Sequence, residues 1–453
     1  MQVMIMNEGR KNVLFIFADQ MHRYALGCMD DPNARTPNLD QLAAGGVLFK
    51  NAYSNCPICT PFRINLFTGL YTSQTDTFRN QSRIPDGITT LAERFNKHGY
   101  KTSYVGKWHI GATGNKPIPE ELRAGFQEFI GYFCYNGFYK DVIFHDEDCV
   151  AHEFDGHRTD VTTDIALERL ERIAGDPFFM CVSYQAPHYP VQPAPEYAEM
   201  FDGIEIQRRK NTRDVDPYTG THSPPSPKPP EKDPDFRRYG NDLDEYLRLY
   251  HAMVAQIDAN VGRLLDKLDE LGITDDTVVV FTSDHGDMQG SHGLKNKTLP
   301  HEESAGIPLI IKEPGGAVGM VAQVPVSGVD FYPTCLEYAG IEAPGDLPGL
   351  SLAQVTATGD VSRFSNRPVF SEMRDWKMIR HGNLKLVVRG WFYEPTAFFN
   401  LERDPYELDN LIDEESWSND ITRMRDKLMN IFTTLSTYTW LGATLKNLET
   451  GEE

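Results

Sequence analysis

Three short apolar segments, each followed closely by an acidic residue or a histidine, constrain the fold of this chain most. They are 12–18 (NVLFIFA), which precedes Asp19; 177–184 (PFFMCVSY), which precedes His188; and 277–282 (TVVVFT), which precedes Asp284. A continuous apolar run of this length is typical of a strand buried on both faces of a parallel sheet. Because ligands bind at the carboxyl edge of such sheets, we expect a polar site where these strands end.

Helical segments alternate with these strands. Apolar residues spaced by three and four predict helices over 160–173 and 242–271. The length of 453 residues suits one large α/β domain with a smaller one attached. An aromatic-rich stretch, 126–157, fits either loops near the substrate or an edge sheet with a packed aromatic face. Residues 204–240 mix prolines with charges and predict an extended surface insertion.

The bulk composition narrows the classes of function. A formal net charge of −21 argues against nucleic acid as a partner, although a small cationic pocket is compatible with it. Seven scattered cysteines, an odd number, indicate reduced thiols rather than a disulfide framework. No apolar run is long enough to cross a membrane, and residues 1–11 lack the pattern of a secretory signal. We expect a cytoplasmic protein, or a periplasmic or secreted one if a leader was removed; the oligomeric state stays open.

The segment 59–63 (CTPFR) places a cysteine at the start of a predicted helix and an arginine one turn later. The helix N-terminus and the guanidinium of Arg63 both favour an anionic species beside Cys59. This arrangement suits an activated nucleophile next to an anion-binding group. The alternative is a buried cysteine that only packs. Cys56 and Cys59 form a CxxC pair, but no second pair follows, so a zinc site is not indicated.

Further basic residues follow other predicted strands. A short strand at 102–105 leads to Lys107 and His109, whose side chains point to one face by strand alternation. A lysine and a histidine held together can bind an oxyanion and move a proton. His188 lies between two prolines on a stiffened loop, and Lys297 is a candidate second anion-binding lysine. The alternatives are solvated surface lysines and packed histidines.

Acidic residues at two strand ends predict a metal site. Asp19-Gln20 and Asp284-His285 each follow a predicted strand, and the two aspartates can meet across the edge of the sheet. Two carboxylates with amide and imidazole ligands suit a hard cation, Ca²⁺ or Mg²⁺. The imidazole of His285 leaves Mn²⁺ or Zn²⁺ open. The alternative for Asp19 is a simple helix cap.

Several of these segments, in order from about residue 12 to 412, resemble type I sulfatases. The matching segments are the Cys-x-Pro-x-Arg signature at 59–63, Gly-Tyr-x-Thr…Gly-Lys-x-His at 99–109, the Ser-Asp-His-Gly…Lys…Pro-Leu-Ile-Ile pattern within 277–315, and the Asp-Pro-x-Glu-x-x-Asn-Leu turn at 404–411. Phe62 and Gly306 stand where many members have serine and arginine. The resemblance implies the alkaline-phosphatase-like superfamily, whose fold is a large, mixed, mostly parallel sheet flanked by helices with a smaller C-terminal α+β domain. Applied to this chain, it implies a catalytic domain over residues 1–365. It also implies a subdomain with a small antiparallel sheet and a terminal helix over 366–453.

The resemblance also assigns roles. A maturation enzyme would oxidise Cys59 to formylglycine, whose hydrated aldehyde attacks sulfur. The divalent metal, Ca²⁺ with Mg²⁺ or Mn²⁺ as alternatives, would be held by Asp19, Gln20, Asp284, His285 and the modified Cys59. Family members often have Asp at position 20 and Asn at position 285, so this site has one formal negative charge fewer. The sulfate would lie among Arg63, Lys107, His188 and Lys297, with His109 as a proton acceptor.

The sequence therefore predicts an enzyme that hydrolyses a sulfate ester, with a sulfated sugar as the expected substrate. A phosphonate or phosphate ester hydrolase of the same superfamily would use nearly the same residues. An inactive sulfate-binding homologue is the non-enzymatic alternative, but binding alone needs no oxidisable cysteine.

Overall fold

The computed structural model describes residues 10–214, 242–390 and 392–432. A ten-stranded sheet forms its centre, and its middle five strands are parallel. From one edge to the other the strands are Met320–Ala322, Val47–Phe49, Leu309–Lys312, Thr277–Ser283, Asn12–Asp19, Phe178–Pro187, Lys101–Lys107, Glu128–Tyr132, Ile143–His145 and Ala151–Glu153. The outer strands include antiparallel pairs, so the sheet is mixed and mostly parallel, as predicted.

Helices cover both faces of this sheet. They are Pro37–Ala44, Cys59–Thr68, Thr72–Thr75, Leu91–Lys97, Arg158–Ile173, Pro195–Glu199, Leu243–Glu270, Glu302–Ala305, Phe331–Tyr338, Ala353–Thr358 and residues 418–432. Alternate residues of a strand face opposite sides. Phe15 and Phe17 therefore lie in one buried cluster with Phe62, whereas Leu14 and Ile16 lie in the other. The result is a three-layer α/β architecture with two apolar cores.

A smaller antiparallel sheet follows near the C-terminus. Its strands are Val369–Glu372, Trp376–His381, Leu384–Arg389 and Glu394–Asn400. One face packs against the helix at 418–432 through Ile379 and Leu386, which meet Met424 and Leu428. The other face packs against Tyr53 and Ala305 of the large part. The predicted second, smaller unit is thus present, while its boundary at 365/366 stays a prediction.

The segment 306–312 contributes to two different sheets. Gly306–Ile307 joins a three-stranded sheet with Ala52–Tyr53 and Val326–Ser327, and Leu309–Lys312 joins the large sheet. Pro308, which lacks an N–H, lies at the break.

The other predicted segments have mixed outcomes. The aromatic stretch 126–157 supplies the last three strands at one end of the large sheet, and the Phe144 ring packs edge-on against the Tyr132 ring at 5.1 Å. Most of the predicted insertion at 204–240 and the end of the terminal helix lie outside the described residues. In the described ranges, no helix is both long and apolar enough to span a membrane. All seven cysteines lie in those ranges, and each is free.

Strand register brings the predicted site together. Ala18 pairs with Ser283, so Asp19 and Asp284 follow neighbouring strand positions. Asp19 itself pairs with Pro187, the residue before His188. The carboxyl edge of the parallel strands therefore gathers residues from distant segments of the chain.

Candidate active site

Cys59 begins the helix Cys59–Thr68, and every residue of that helix is buried. Ile58 precedes it in an extended conformation, and the Asn80 side chain accepts the Thr60 N–H at 3.1 Å. The Cys59 Sγ lies 3.6 Å from Asp19 Oδ1 and 3.2 Å from His285 Nε2. The helix N-terminus thus points a sulfur atom into the strand-end cluster.

The thiol differs from the expected anionic nucleophile. Burial, followed by the nearby Asp19 carboxylate, raises the pKa of Cys59 to about 12. The guanidinium of Arg63, expected to favour a thiolate, instead binds Asp19 Oδ2 at 3.1 Å and Asp284 Oδ2 at 3.2 Å. The unmodified sulfur is therefore protonated at neutral pH and is a poor nucleophile.

Asp19, Cys59, Asp284 and His285 form a compact set of possible metal ligands. One ligand atom from each lies within 4.8 Å of the others, and all four residues are buried. His285 Nδ1 lies 2.9 Å from the Gly286 carbonyl oxygen, which fixes its proton on Nδ1. Burial lowers the pKa of His285, so Nε2 keeps its lone pair toward the cluster. Only glycine fits at position 286, because a Cβ there would lie 1.9 Å from the Glu303 carbonyl oxygen.

The two carboxylates of the cluster are in different electrostatic states. Burial raises the pKa of Asp19, but Lys107, His188 and Arg63 more than offset this and hold it well below its usual value. Lys107 Nζ lies 2.6 Å from Asp19 Oδ2. Burial and the neighbouring Asp19 raise the pKa of Asp284 to about 7. The charge of Asp284 is thus not fully compensated by the protein. Because Asp284 lies beside the other three possible ligands, the cluster suits a cation.

Gln20 lies beside this cluster, but its side chain is engaged elsewhere. Its Nε2 donates to Asp287 Oδ2 at 2.9 Å and to Asn296 Oδ1 at 3.2 Å. Its Oε1 accepts from Lys297 Nζ at 2.5 Å. A positive φ of 65° at Gln20 turns the chain so that only its backbone N–H meets Asp284. The amide oxygen that could ligate a metal therefore positions Lys297 here, and metal ligation by Gln20 stays a prediction.

The basic residues predicted to bind an anion converge on the same edge. Arg63 Nη1 donates to Ser183 Oγ at 2.9 Å and to the Lys107 carbonyl oxygen at 2.5 Å. Lys107 is fully buried, and Lys297 lies 6.0 Å from the centre of the Tyr189 ring. In this structure the charged groups of Arg63, Lys107 and Lys297 contact carboxylate and amide oxygens. The oxygens of a sulfate group would be further acceptors for the same three side chains.

Two histidines complete the set. His109 is buried with a φ of 59°, and its Nδ1 has no partner among the described residues. His188 stacks on Tyr189 at 4.4 Å, and its Nδ1 lies 2.6 Å from the Tyr189 carbonyl oxygen. Burial, with Lys107 nearby, lowers the pKa of both, so both rings are neutral. Neutral histidines beside an anion site can exchange protons with it.

Sequence reasoning missed the supporting residues. Ser183 anchors Arg63, Asn80 caps the Cys59 helix, and Asp287 holds Gln20. Asp287 also accepts the Tyr246 hydroxyl and the Asn296 N–H, at 2.9 and 3.1 Å. A signal existed for Ser183, since it ends a buried strand as Asp19 does. No comparable signal existed for Asn80.

A second cluster of possible ligands in the described residues is less suited to a metal. It contains His292, His301 and Glu407. Lys385 Nζ already lies 2.6 Å from Glu407 Oε1, and the Glu302 N–H donates to Glu407 Oε2 at 2.8 Å. A carboxylate that is already neutralised attracts a cation weakly.

Comparison with known proteins agrees with this geometry. The family model described as Sulfatase matches residues 11–341, and the model for the C-terminal part of N-sulphoglucosamine sulphohydrolase matches residues 290–434. The structure has the alkaline-phosphatase-like fold and a buried cluster of possible metal ligands. The chain belongs to the sulfatase family, as the first model covers well over half of it.

Individual relatives extend the comparison. An ulvan-active sulfatase of Formosa agariphila is 29% identical, over 89% of this chain and 77% of that protein. An N-acetylglucosamine-6-O-sulfatase of Bacteroides thetaiotaomicron is 26% identical, over 90% and 84%. A structure solved with its substrate D-glucosamine-2-N,6-O-disulfate superposes with a TM-score of 0.80 at 23% identity, covering 94% of this chain and 98% of that one. That likeness shows the shared fold.

Proposed function

We propose that this protein hydrolyses the sulfate ester of a carbohydrate, using a formylglycine made from Cys59 and a divalent metal. The observation that carries the proposal is the position of Cys59. It lies at a helix N-terminus, within 4.8 Å of the ligand atoms of Asp19, Asp284 and His285. A neutral, buried thiol there has no evident use as a nucleophile, but it suits a residue that is oxidised before use.

The donor set fits a divalent cation. Two carboxylates, an imidazole nitrogen and the oxygen of a modified Cys59 would hold it, and Ca²⁺ is the proposed ion, with Mg²⁺ or Mn²⁺ as alternatives. When bound, the cation stabilises negative charge on the sulfuryl oxygens, and formylglycine supplies the attacking oxygen and a route to release sulfate. A formylglycine-generating maturation enzyme is the partner that this requires.

The remaining residues handle charge and protons. Arg63, Lys107 and Lys297 neutralise the charge that grows as the S–O bond breaks. Asp284, whose pKa in the metal-free site is raised to about 7, takes up the proton of the attacking group. His109 offers an unpartnered Nδ1 as a second proton acceptor.

His188 is proposed as the acid that protonates the leaving oxygen. Its Nδ1 faces the Tyr189 carbonyl oxygen, which leaves Nε2 to carry that proton. Burial, together with the neighbouring Lys297 and Lys107, lowers the pKa of the ring, and an arriving anionic substrate offsets the effect of the two lysines. Binding of the substrate therefore favours protonation of His188.

The carbohydrate substrate is inferred from relatives. The two curated relatives above are named for ulvan and for N-acetylglucosamine 6-sulfate, both carbohydrates. A test compares a panel of sulfated monosaccharides with nitrophenyl sulfate and an aryl phosphonate monoester, by kcat/KM on the matured enzyme. We expect sugar sulfates to be turned over and the phosphonate to be slower. A higher kcat/KM on the phosphonate would reassign the protein to the phosphonate hydrolases.

The role of His188 can be tested on the same panel. A nitrophenolate leaves as an anion, whereas a sugar alkoxide needs a proton. His188→Ala should therefore lower kcat/KM on a sugar sulfate by about 100-fold more than on nitrophenyl sulfate. Equal losses on both substrates would limit His188 to sulfate binding.

A further inference from the structure

A cleft of about 730 Å³ opens between the segment after the helix Thr72–Thr75 and the C-terminal antiparallel sheet. Its lining combines aromatic rings, basic groups and two carboxylates: Phe78, Trp376, Tyr393, Arg374, Lys377, Arg389, Asp76 and Asp375. None of them belongs to the site described above. The cleft has the size of a small-molecule site.

Both walls of the cleft connect to the active site. On one wall, Phe78 is two residues from Asn80, which caps the helix residue next to Cys59. On the other wall, Trp376 Nε1 donates to the Thr298 carbonyl oxygen at 2.9 Å, and Thr298 follows Lys297. Two residues of extended chain span at most about 7 Å, so the cleft lies close to the nucleophile.

Aromatic rings give the cleft flat apolar faces. Phe78, Trp376 and Tyr393 line it. Aromatic rings supply large rigid contact areas beside polar groups. A pyranose ring presents the complementary surface, with a face of C–H groups and a rim of hydroxyls.

Two arginines at the cleft form only solvent-exposed ion pairs. Arg374 lies 3.0 Å from Asp76, and Arg389 lies 3.0 Å from Asp375. The side chains of both pairs are 46–80% exposed, and exposed ion pairs contribute little to stability. A carboxylate or sulfate group on a ligand can therefore displace the aspartates, and the arginine fork binds such groups bidentately.

We propose that this cleft binds the sugar unit next to the sulfated one, and that this unit carries an anionic group. The inference rests on the proposed function, because it extends the substrate from a single sulfated sugar to an acidic oligosaccharide. The anion is the carboxylate of a uronic acid or a second sulfate; both suit the same arginines.

The test uses the double variant Arg374→Gln/Arg389→Gln. Both side chains are exposed, so we expect the variant to fold. The matched control is Arg423→Gln, which removes another arginine that forms an exposed i,i+3 ion pair, with Asp420. Substrates are nitrophenyl sulfate, a sulfated monosaccharide, and disaccharides that add to it a neutral, a uronic acid or a second sulfated unit.

We expect wild type to prefer an acidic disaccharide over the neutral one. In the arginine variant, KM for that disaccharide should rise about tenfold more than KM for nitrophenyl sulfate, the scale of one charged hydrogen bond at an exposed site. The control variant should raise KM for none of the substrates. The preferred disaccharide identifies carboxylate or sulfate as the anion. Equal KM changes on all substrates, or no change, would overturn the proposal.

A binding measurement separates this proposal from the proposed function. Calorimetry with a sulfate-free uronic acid tetrasaccharide, against neutral chitotetraose, needs no turnover. Binding of the acidic probe that is weakened about tenfold in the arginine variant would support the cleft even if no sulfate ester were hydrolysed. Equal binding of both probes, or no binding of the acidic probe together with no preference for the doubly sulfated disaccharide, would overturn the cleft while leaving sulfatase activity intact.

Discussion

Two buried charge clusters lie close together in this protein, and they are built differently. One, at the proposed active site and called the catalytic cluster, consists of Asp19, Asp284, Arg63, Lys107 and Lys297. The sheet cluster joins the large part to the C-terminal sheet and consists of Glu302, Glu407, Arg23, Arg380 and Lys385. Both contain two carboxylates and three cations, and nearly all these side chains are fully buried.

In the sheet cluster every carboxylate is satisfied. Lys385 bridges Glu302 and Glu407 at 2.9 and 2.6 Å, and Glu302 also contacts Arg23 and accepts the Tyr53 hydroxyl at 2.7 Å. Although burial raises their pKa values, these cations outweigh it: the pKa of Glu302 falls well below its usual value, and that of Glu407 falls to about 2.

In the catalytic cluster the same number of cations leaves a deficit. Lys107 pairs with Asp19, Arg63 is shared between Asp19 and Asp284, and Lys297 is turned toward the Gln20 amide. Burial, together with the neighbouring Asp19, outweighs the shared Arg63 and raises the pKa of Asp284 to about 7. In the sheet cluster, the cations keep both carboxylates ionised. In the catalytic cluster, the charge of Asp284 is only partly compensated, as a site for a metal ion requires.

The largest expected effect comes from removing that carboxylate. Asp284→Asn should lower kcat/KM by at least about 1,000-fold, because the metal and its charge stabilisation are lost. Metal content by elemental analysis should fall with activity. The melting temperature of the metal-free protein should not fall, since an uncompensated charge has been removed. Native metal stoichiometry in this variant would refute the ligand assignment.

The matching change in the sheet cluster should act on stability instead. Lys385→Met leaves Glu302 and Glu407 buried with fewer partners, which costs roughly 3–5 kcal/mol of unfolding free energy. Urea denaturation measures it, and metal content per folded chain should stay native. Lys50→Met is the control, because its partner Asp30 is largely exposed and little change is expected. A loss in Lys385→Met no larger than in the control would show that the sheet cluster is not structural.

The two clusters should also differ in their response to pH. The folded pKa of Asp284 in the metal-free protein is raised to about 7 from 3.8, so the folded state holds this proton longer than the unfolded state does. Stability of the chelated protein should therefore fall as pH rises through about 4 to 7. Glu407 works in the opposite direction: its folded pKa is about 2, so its contribution is present above about 4.5 and is lost as pH falls toward 2.

Melting curves with and without chelator check this pH response. Adding Ca²⁺ or Asp284→Asn should each remove the decline between pH 4 and 7. If the melting temperature of the chelated wild-type protein depended on pH no more than that of the Asp284→Asn variant, the proposed charge deficit at Asp284 would be contradicted.

The smallest effect is expected at Gln20. Gln20→Met removes the acceptor that holds Lys297, so kcat/KM should fall about tenfold, the scale of one charged hydrogen bond. Metal content distinguishes the two roles: it stays native if Gln20 positions Lys297, and it falls if Gln20 is a ligand. Gln289→Met is a suitable control, because its amide nitrogen is buried without a partner among the described residues.

These contrasts mark how far sequence can predict this site. Convergence of Asp19, His188 and Asp284 follows from apolar strands that end at one sheet edge, and the structure shows it. The orientation of Gln20 depends on a positive φ and on Asp287, which is 267 positions away, so local patterns carry no trace of it. The charge deficit at Asp284 likewise depends on which carboxylate each basic side chain contacts, and these contacts follow only from the three-dimensional packing.

Peptide mass spectrometry across Cys59 tests the central claim most directly. In protein matured in a competent host, we predict formylglycine at position 59, with turnover per chain rising in proportion to the modified fraction. Cys59→Ala should bind metal more weakly, show no turnover and remain folded. Full activity from protein whose Cys59 is entirely an intact thiol would contradict the account.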